Sequence, residues 1–170
     1  GDTAAITASG AWNKDDTILF NARQTSGAGY VLYRVAANGG TPTPATTLDE
    51  SRAEIAHYWP RFLPDGRHFI YLAQSAKPEN QAIMLGSLDS KQAHQVLTSE
   101  FAADFAPPNY LLFRRGSALF AQTLNLATFQ LEGEAVRIAD PVGAVSTTGR
   151  PGFSVSDTGV LAVWPSVGTY

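Results

Sequence analysis

Three side chains suited to chemistry crowd one short stretch. His57, Asp65 and His68 fall within HYWPRFLPDGRHFIYLA, residues 57–73. Two imidazoles and a carboxylate are zinc-ligand types. Their spacing argues against that use. The histidines lie eleven positions apart across a turn signal, with no H-x-x-x-H pair, and the third, His94, falls in another expected strand. The expected roles are architectural: His57 bonds backbone, Asp65 holds a turn, and His68 opens an apolar strand. Asp15-Asp16 and Asp49-Glu50 offer oxygens for calcium, but neither fits the D-x-[DN]-x-[DN]-G spacing, so they read as solvated turn acids. Gly152-Phe153-Ser154-Val155-Ser156 is a near miss to the G-x-S-x-G nucleophile elbow. It lacks the second glycine and precedes a strand instead of a helix. No catalytic residue, metal site or cofactor is expected. The candidate ligand contacts are Tyr58, His57, Arg61, Trp12 and Arg150. Tyr58 leads them as the exposed ring, with Trp59 turned inward beside Pro60. Three small polar loops, Gln24 to Gly29, Ala76 to Gln81 and Ser146 to Arg150, are further recognition candidates.

Composition narrows the classes of partner. The chain has 170 residues, 44% apolar and 16% charged, which suits one folded domain with a sizeable core. The net charge is -3, and Arg114-Arg115 is the only adjacent basic pair. Phosphate neutralisation needs clustered Lys and Arg, so nucleic acid is disfavoured. Cysteine is absent, which rules out disulfides and thiol chemistry. No apolar run approaches the ~20 residues that span a bilayer, so no membrane insertion is expected. The chain opens on Gly1-Asp2 and not Met, as an excised fragment would.

The elements that must position these residues are short. Fifteen glycines and ten prolines punctuate the chain, and strand-length apolar runs lie between them. These runs are Thr17–Phe20, Tyr30–Val35, His68–Leu72, Ala82–Leu85, Tyr110–Phe113, Ala118–Leu124 and Val160–Trp164. Within Tyr30–Val35 the alternation puts Val31, Tyr33 and Val35 on one face. Asp49–Ile55 could form one helical turn, but no long apolar stripe of helical period exists. The pattern is all-β.

The runs also repeat. A turn leads into a strand at Thr17, Gly66, Asn109 and Gly159, at separations of 49, 43 and 50 positions. Each turn follows an aromatic or proline anchor, and weaker outer strands follow at Pro44–Leu48, His94–Thr98 and Ala135–Ala139. A period of 40 to 50 residues with about four short strands is a β-propeller blade signature. The expectation is three full four-stranded blades and a partial fourth, at 10–56, 57–101, 102–145 and 146–165. Residues 1–9 would be a leader or linker and 166–170 a tail. The blades would be part of a larger ring or be completed by oligomerisation.

Phe62-Leu63-Pro64-Asp65-Gly66-Arg67 with Phe69-Ile70-Tyr71 resembles the WD40-like (PD40) repeat of TolB-type propellers. Tyr33 to Pro42, His57 to Gly66, Tyr110 to Phe113, Leu119 to Gln122 and Phe153 to Ser156 follow in the family's order. The whole series, over residues 10 to 165, resembles the propeller appended to bacterial, particularly acidobacterial, receptor-like serine/threonine kinases. That resemblance implies a non-catalytic binding or scaffolding module for a protein, peptide or glycan, on the extracytoplasmic side. The chain shows none of the kinase motifs: no G-x-G-x-x-G, H-R-D or D-F-G. Two alternatives stand beside this reading. One is a gating or catalytic propeller of a peptidase or glycan-processing hydrolase. The other is a structural homo-oligomer.

Overall fold

The computed structural model describes residues 9–25 and 27–165; Ser26 and the segments 1–8 and 166–170, which hold most of the expected leader and all of the expected tail, lie outside the described residues. The described chain is a series of small antiparallel sheets. The first has β1 (Gly10–Trp12), β2 (Thr17–Arg23), β3 (Tyr30–Ala36) and β4 (Thr43–Pro44). The second has β5 (Glu54–Phe62), β6 (His68–Ser75), β7 (Ala82–Ser87) and β8 (Ser90–Thr98). The third has β9 (Asp104–Ala106), β10 (Tyr110–Arg115), β11 (Ala118–Leu124) and β12 (Leu131–Ala139). Two hairpins follow: β13 (Ala144–Val145) with β14 (Arg150–Pro151), and β15 (Phe153–Val155) with β16 (Leu161–Val163). Three four-stranded units and a partial fourth are thus present, each strand paired to its chain neighbour as in a propeller blade. One parallel bridge, Tyr30 to Ala56, joins the first two sheets.

The sheets stack face to face, and each junction is an apolar core. Between the first and second lie Leu19, Leu32, Phe69, Tyr71, Ala73, Ala82 and Met84. Between the second and third lie Ile70, Leu72, Ile83, Leu85, Leu111, Phe113 and Leu124. Leu112, Leu119, Val142, Phe153 and Val155 fill the next junction. Strand β6 shows why its sequence is a continuous apolar run. Phe69, Tyr71 and Ala73 point to one neighbour, and Ile70 and Leu72 to the other. Successive side chains of a strand point to opposite faces, so a strand buried on both needs apolar residues throughout. For the same reason Leu32, between Val31 and Tyr33, is fully buried although it lies off the expected apolar face.

The turn motif works as its residue types dictate, with one shift of register. Asp65 Oδ1 accepts hydrogen bonds from the N–H groups of Arg67 and His68, both at 2.9 Å. Gly66 takes φ +72°. In the first sheet Asp16, and not Thr17, takes this left-handed conformation, at φ +56°. Asn13 Oδ1 closes that turn by accepting from the Thr17 N–H at 2.7 Å. Ser156 Oγ accepts from the Val160 N–H at 2.9 Å in the same relation. Side chains that accept an N–H four residues on therefore do the work that Asp65 does in the second sheet.

Two expectations change. The helical turn over Asp49–Ile55 shortens to a 3-10 turn at Glu50–Arg52, capped by Asp49, because β5 already begins at Glu54. The outer strand expected at Pro44–Leu48 is only Thr43–Pro44. Proline has no N–H for a ladder, so this strand is a short sheet edge.

Candidate functional site

Strands β1, β5, β9 and β15 lie side by side. Trp59 N–H donates to Ser9 Oγ at 2.9 Å, Asn13 Nδ2 donates to Gly66 O at 2.7 Å, and Val155 N–H donates to Asp104 Oδ2 at 2.9 Å. Where their turns converge, a groove of about 570 Å³ opens. Its walls are Gly10–Lys14 from the first sheet, Pro60–Pro64 and Gly66 from the second, Phe105 and Pro107 from the third, and Asp157 from the fourth.

Trp12 stands in this groove with 65% of its surface exposed. Its indole makes one long bond, Nε1 to Asp16 Oδ1 at 3.3 Å. Lys14 has no ion-pair partner among the described residues. Arg61 also lines the groove, but its charge is already matched. Its Nη2 donates to Asp157 Oδ1 at 2.8 Å. Its Nε stands 3.1 Å from Asp104 Oδ1, yet that N–H is not aimed to form a hydrogen bond, so this second pair is a charge contact. Arg61 thereby fastens the second unit to the third and fourth. Burial pushes the Asp104 carboxyl above the usual aspartate range, although Arg61 and the N–H groups of Val155 and Phe105 pull it down. Arg61→Ala removes the cation that opposes burial. We expect Asp104 to titrate higher still in that variant. Carboxyl carbon NMR across a pH series checks this; an unchanged Asp104 midpoint would remove Arg61 from the account.

The structure corrects two of the proposed contacts. His57 is fully buried and cannot meet a ligand. It bonds side chains and not backbone: Nδ1 lies 2.8 Å from Thr46 Oγ1, and Nε2 lies 3.0 Å from Glu54 Oε2. Glu54, His57 and Thr46 thus line up as acid, imidazole and hydroxyl. The line is sealed, since the Thr46 residue is 4% exposed and the Glu54 side chain 3%. Thr46 Oγ1 also accepts the Leu32 N–H at 3.0 Å, so the hydroxyl ties the imidazole to the first sheet. Tyr58 is buried at 9% exposure, its ring 6.0 Å from that of Tyr30, and burial raises its phenol. Trp59 turns inward as expected and packs, partly buried, against the core between the second and third sheets, so both rings face inward. It sits at φ +56° in a β-bulge between Tyr58 and Arg61, which lets neighbouring residues face the same way.

Arg150 is exposed but occupied. Its guanidinium lies 5.1 Å from the Trp164 ring centre and 5.9 Å from that of Trp59, while Trp59 Nε1 donates to Thr148 O at 2.8 Å. The groove therefore brings Trp12 and Arg61 together and leaves out His57, Tyr58 and Arg150. Sequence reasoning missed Lys14, Asp104 and Asp157. Only Asp104 carried a signal, as the single charge in Ala102-Ala103-Asp104-Phe105-Ala106.

No family model matches the chain, and no curated protein matches it. Among solved structures, the one named "putative TolB" from Agrobacterium tumefaciens aligns with a TM-score of 0.58 at 19% identity. The alignment covers 78% of this chain and 46% of that one, so the chain spans less than half of that protein's length. The likeness is one of fold: the stacked sheets are a TolB-like β-propeller arrangement.

Proposed function

We propose that the chain is a binding module whose groove takes an extended polypeptide segment with an apolar and an acidic side chain. The observation that carries this reading is the groove itself: four successive units wall it, Trp12 is open within it, and Lys14 lines it with no ion-pair partner among the described residues. The outer edge of β1, which among the described residues pairs only with β2, supports it further. Asn13 N–H donates to Thr17 O and Asn21 N–H donates to Ser9 O, so the ladder uses residues 9, 11 and 13. The peptide groups of Gly10 and Trp12 then point away from β2, where an added strand could pair with them. In the setting that the kinase-associated resemblance implies, downstream of a kinase domain and outside the cytoplasm, this groove would be the sensing surface.

Peptide display on the purified chain, followed by affinity measurement, tests the reading. Trp12→Ala should weaken the selected peptide at least tenfold with an unchanged melting temperature, since the ring is mostly in solvent. Lys14→Gln should cost less and flatten the salt dependence. Peptides that bind both variants as well as the parent would overturn the proposal, as would a selection that yields no binding peptide.

A further inference from the structure

We propose a second binding site, for a carboxylate, around Arg114. Strand β10 leaves the Pro107–Asn109 turn and delivers Arg114 at its other end, away from the groove at Trp12. There a separate groove of about 460 Å³ lies between the second and third sheets. Two of the small polar loops meet in it, through Gln81 and Ser146.

Arg114 is held in a fixed pose. Its Nε donates to Val142 O at 2.9 Å, and its guanidinium carbon lies 4.6 Å from the centre of the Phe101 ring. Phe101 is itself 6% exposed and tied by Ser99, whose Oγ donates to Phe101 O at 2.6 Å. A guanidinium carries five N–H donors. The terminal nitrogens of Arg114 have no partner among the described residues, and no carboxylate there lies within ion-pair distance. A cation oriented by its Nε and its flat face, with its fork open to a groove, is arranged for two parallel bonds to a planar anion. Glu100 stands in the same groove wall. Its charge opposes a phosphate dianion more than a carboxylate monoanion, which selects the carboxylate. Arg115, over the rings of Phe113 and Phe120, adds positive charge without competing for that geometry.

The carboxylate could belong to a peptide or to an acidic sugar, and one experiment separates them. The intact chain is titrated with N-acetyl-glutamate amide, with galacturonate and with inorganic phosphate, while the arginine Nε–Hε resonances are followed by NMR. A saturating shift at Arg114 with either carboxylate, at a dissociation constant on the order of 1 mM, supports the site and identifies the source. Arg114→Lys should weaken that binding at least fivefold. Phe101→Leu, which keeps the charge and frees the guanidinium, should weaken it less. A response to phosphate alone, or no saturable shift at Arg114 with any probe, overturns the proposal. The parent titration decides the matter even if a variant fails to fold.

Discussion

Replacing His57 with alanine should destabilise the chain by about 3–5 kcal/mol, a large share of what a domain of this size possesses. Three costs combine. A ring that is fully buried against Tyr71, at 4.8 Å between centres, leaves a cavity. Thr46 and Glu54 each lose a buried hydrogen-bond partner. Burial alone would raise the Glu54 carboxyl. The hydrogen bonds from His57 and the Asp49 N–H, with the Arg52 guanidinium 3.2 Å away, instead hold it below the usual glutamate value. A carboxyl depressed in the folded state contributes stability that is complete above its unfolded value, near 4.3, and is lost as pH falls through the folded one. The parent should therefore lose stability below about pH 4.3. Glu54→Gln should flatten that slope. Denaturant melts at a series of pH values, with the double variant to complete a thermodynamic cycle, measure both effects. A His57→Ala loss under 1 kcal/mol, or a slope that Glu54→Gln leaves unchanged, would remove this network from the account.

The second large effect is expected at Gly152. A Cβ there would lie 2.1 Å from Gly143 O and 2.6 Å from Gly143 C, so one backbone must move to admit a methyl group. The pair anchors the end of the fourth unit: Gly143 N–H donates to Trp164 O at 3.0 Å, and Trp164 N–H donates to Gly152 O at 2.9 Å. Gly152→Ala should cost about 1–3 kcal/mol. The loss should concentrate in β15 and β16, whose Phe153 and Val155 fill the last core junction. Hydrogen exchange locates it: the Trp164 amide should exchange faster in the variant, while β6 amides keep their protection. Equal exchange at Trp164 in both proteins would show that the two backbones are not in close contact.

Gly152 also shows where the sequence is readable. Its neighbourhood, Gly-Phe-Ser-Val-Ser, looks like a damaged nucleophile elbow until the glycine is seen to serve a backbone crossing. The repeat is legible because its turns are built locally: Pro64-Asp65-Gly66 needs only its own side chain and a left-handed residue. Runs such as Ala82–Leu85 are legible because burial on both faces leaves no polar position within them. Strand-level facing fails at Tyr58, which is buried beside an equally inward Trp59, since alternation by two assumes an unbroken ladder and the bulge breaks it. The groove was half legible. Trp12 and Arg61 could be singled out by type, but Lys14 and Asp157 gain meaning only from contacts between turns 53 and 96 positions apart, at Asn13–Gly66 and Arg61–Asp157.

The groove reading is tested most directly by mapping where a selected peptide sits. Backbone amide shifts of the intact chain should move at Trp12, Lys14, Phe62 and Asp157 as the peptide is added, and stay still at Gln81 and Ser146. Shifts confined to those two loops, with Trp12 and Lys14 silent, would contradict it.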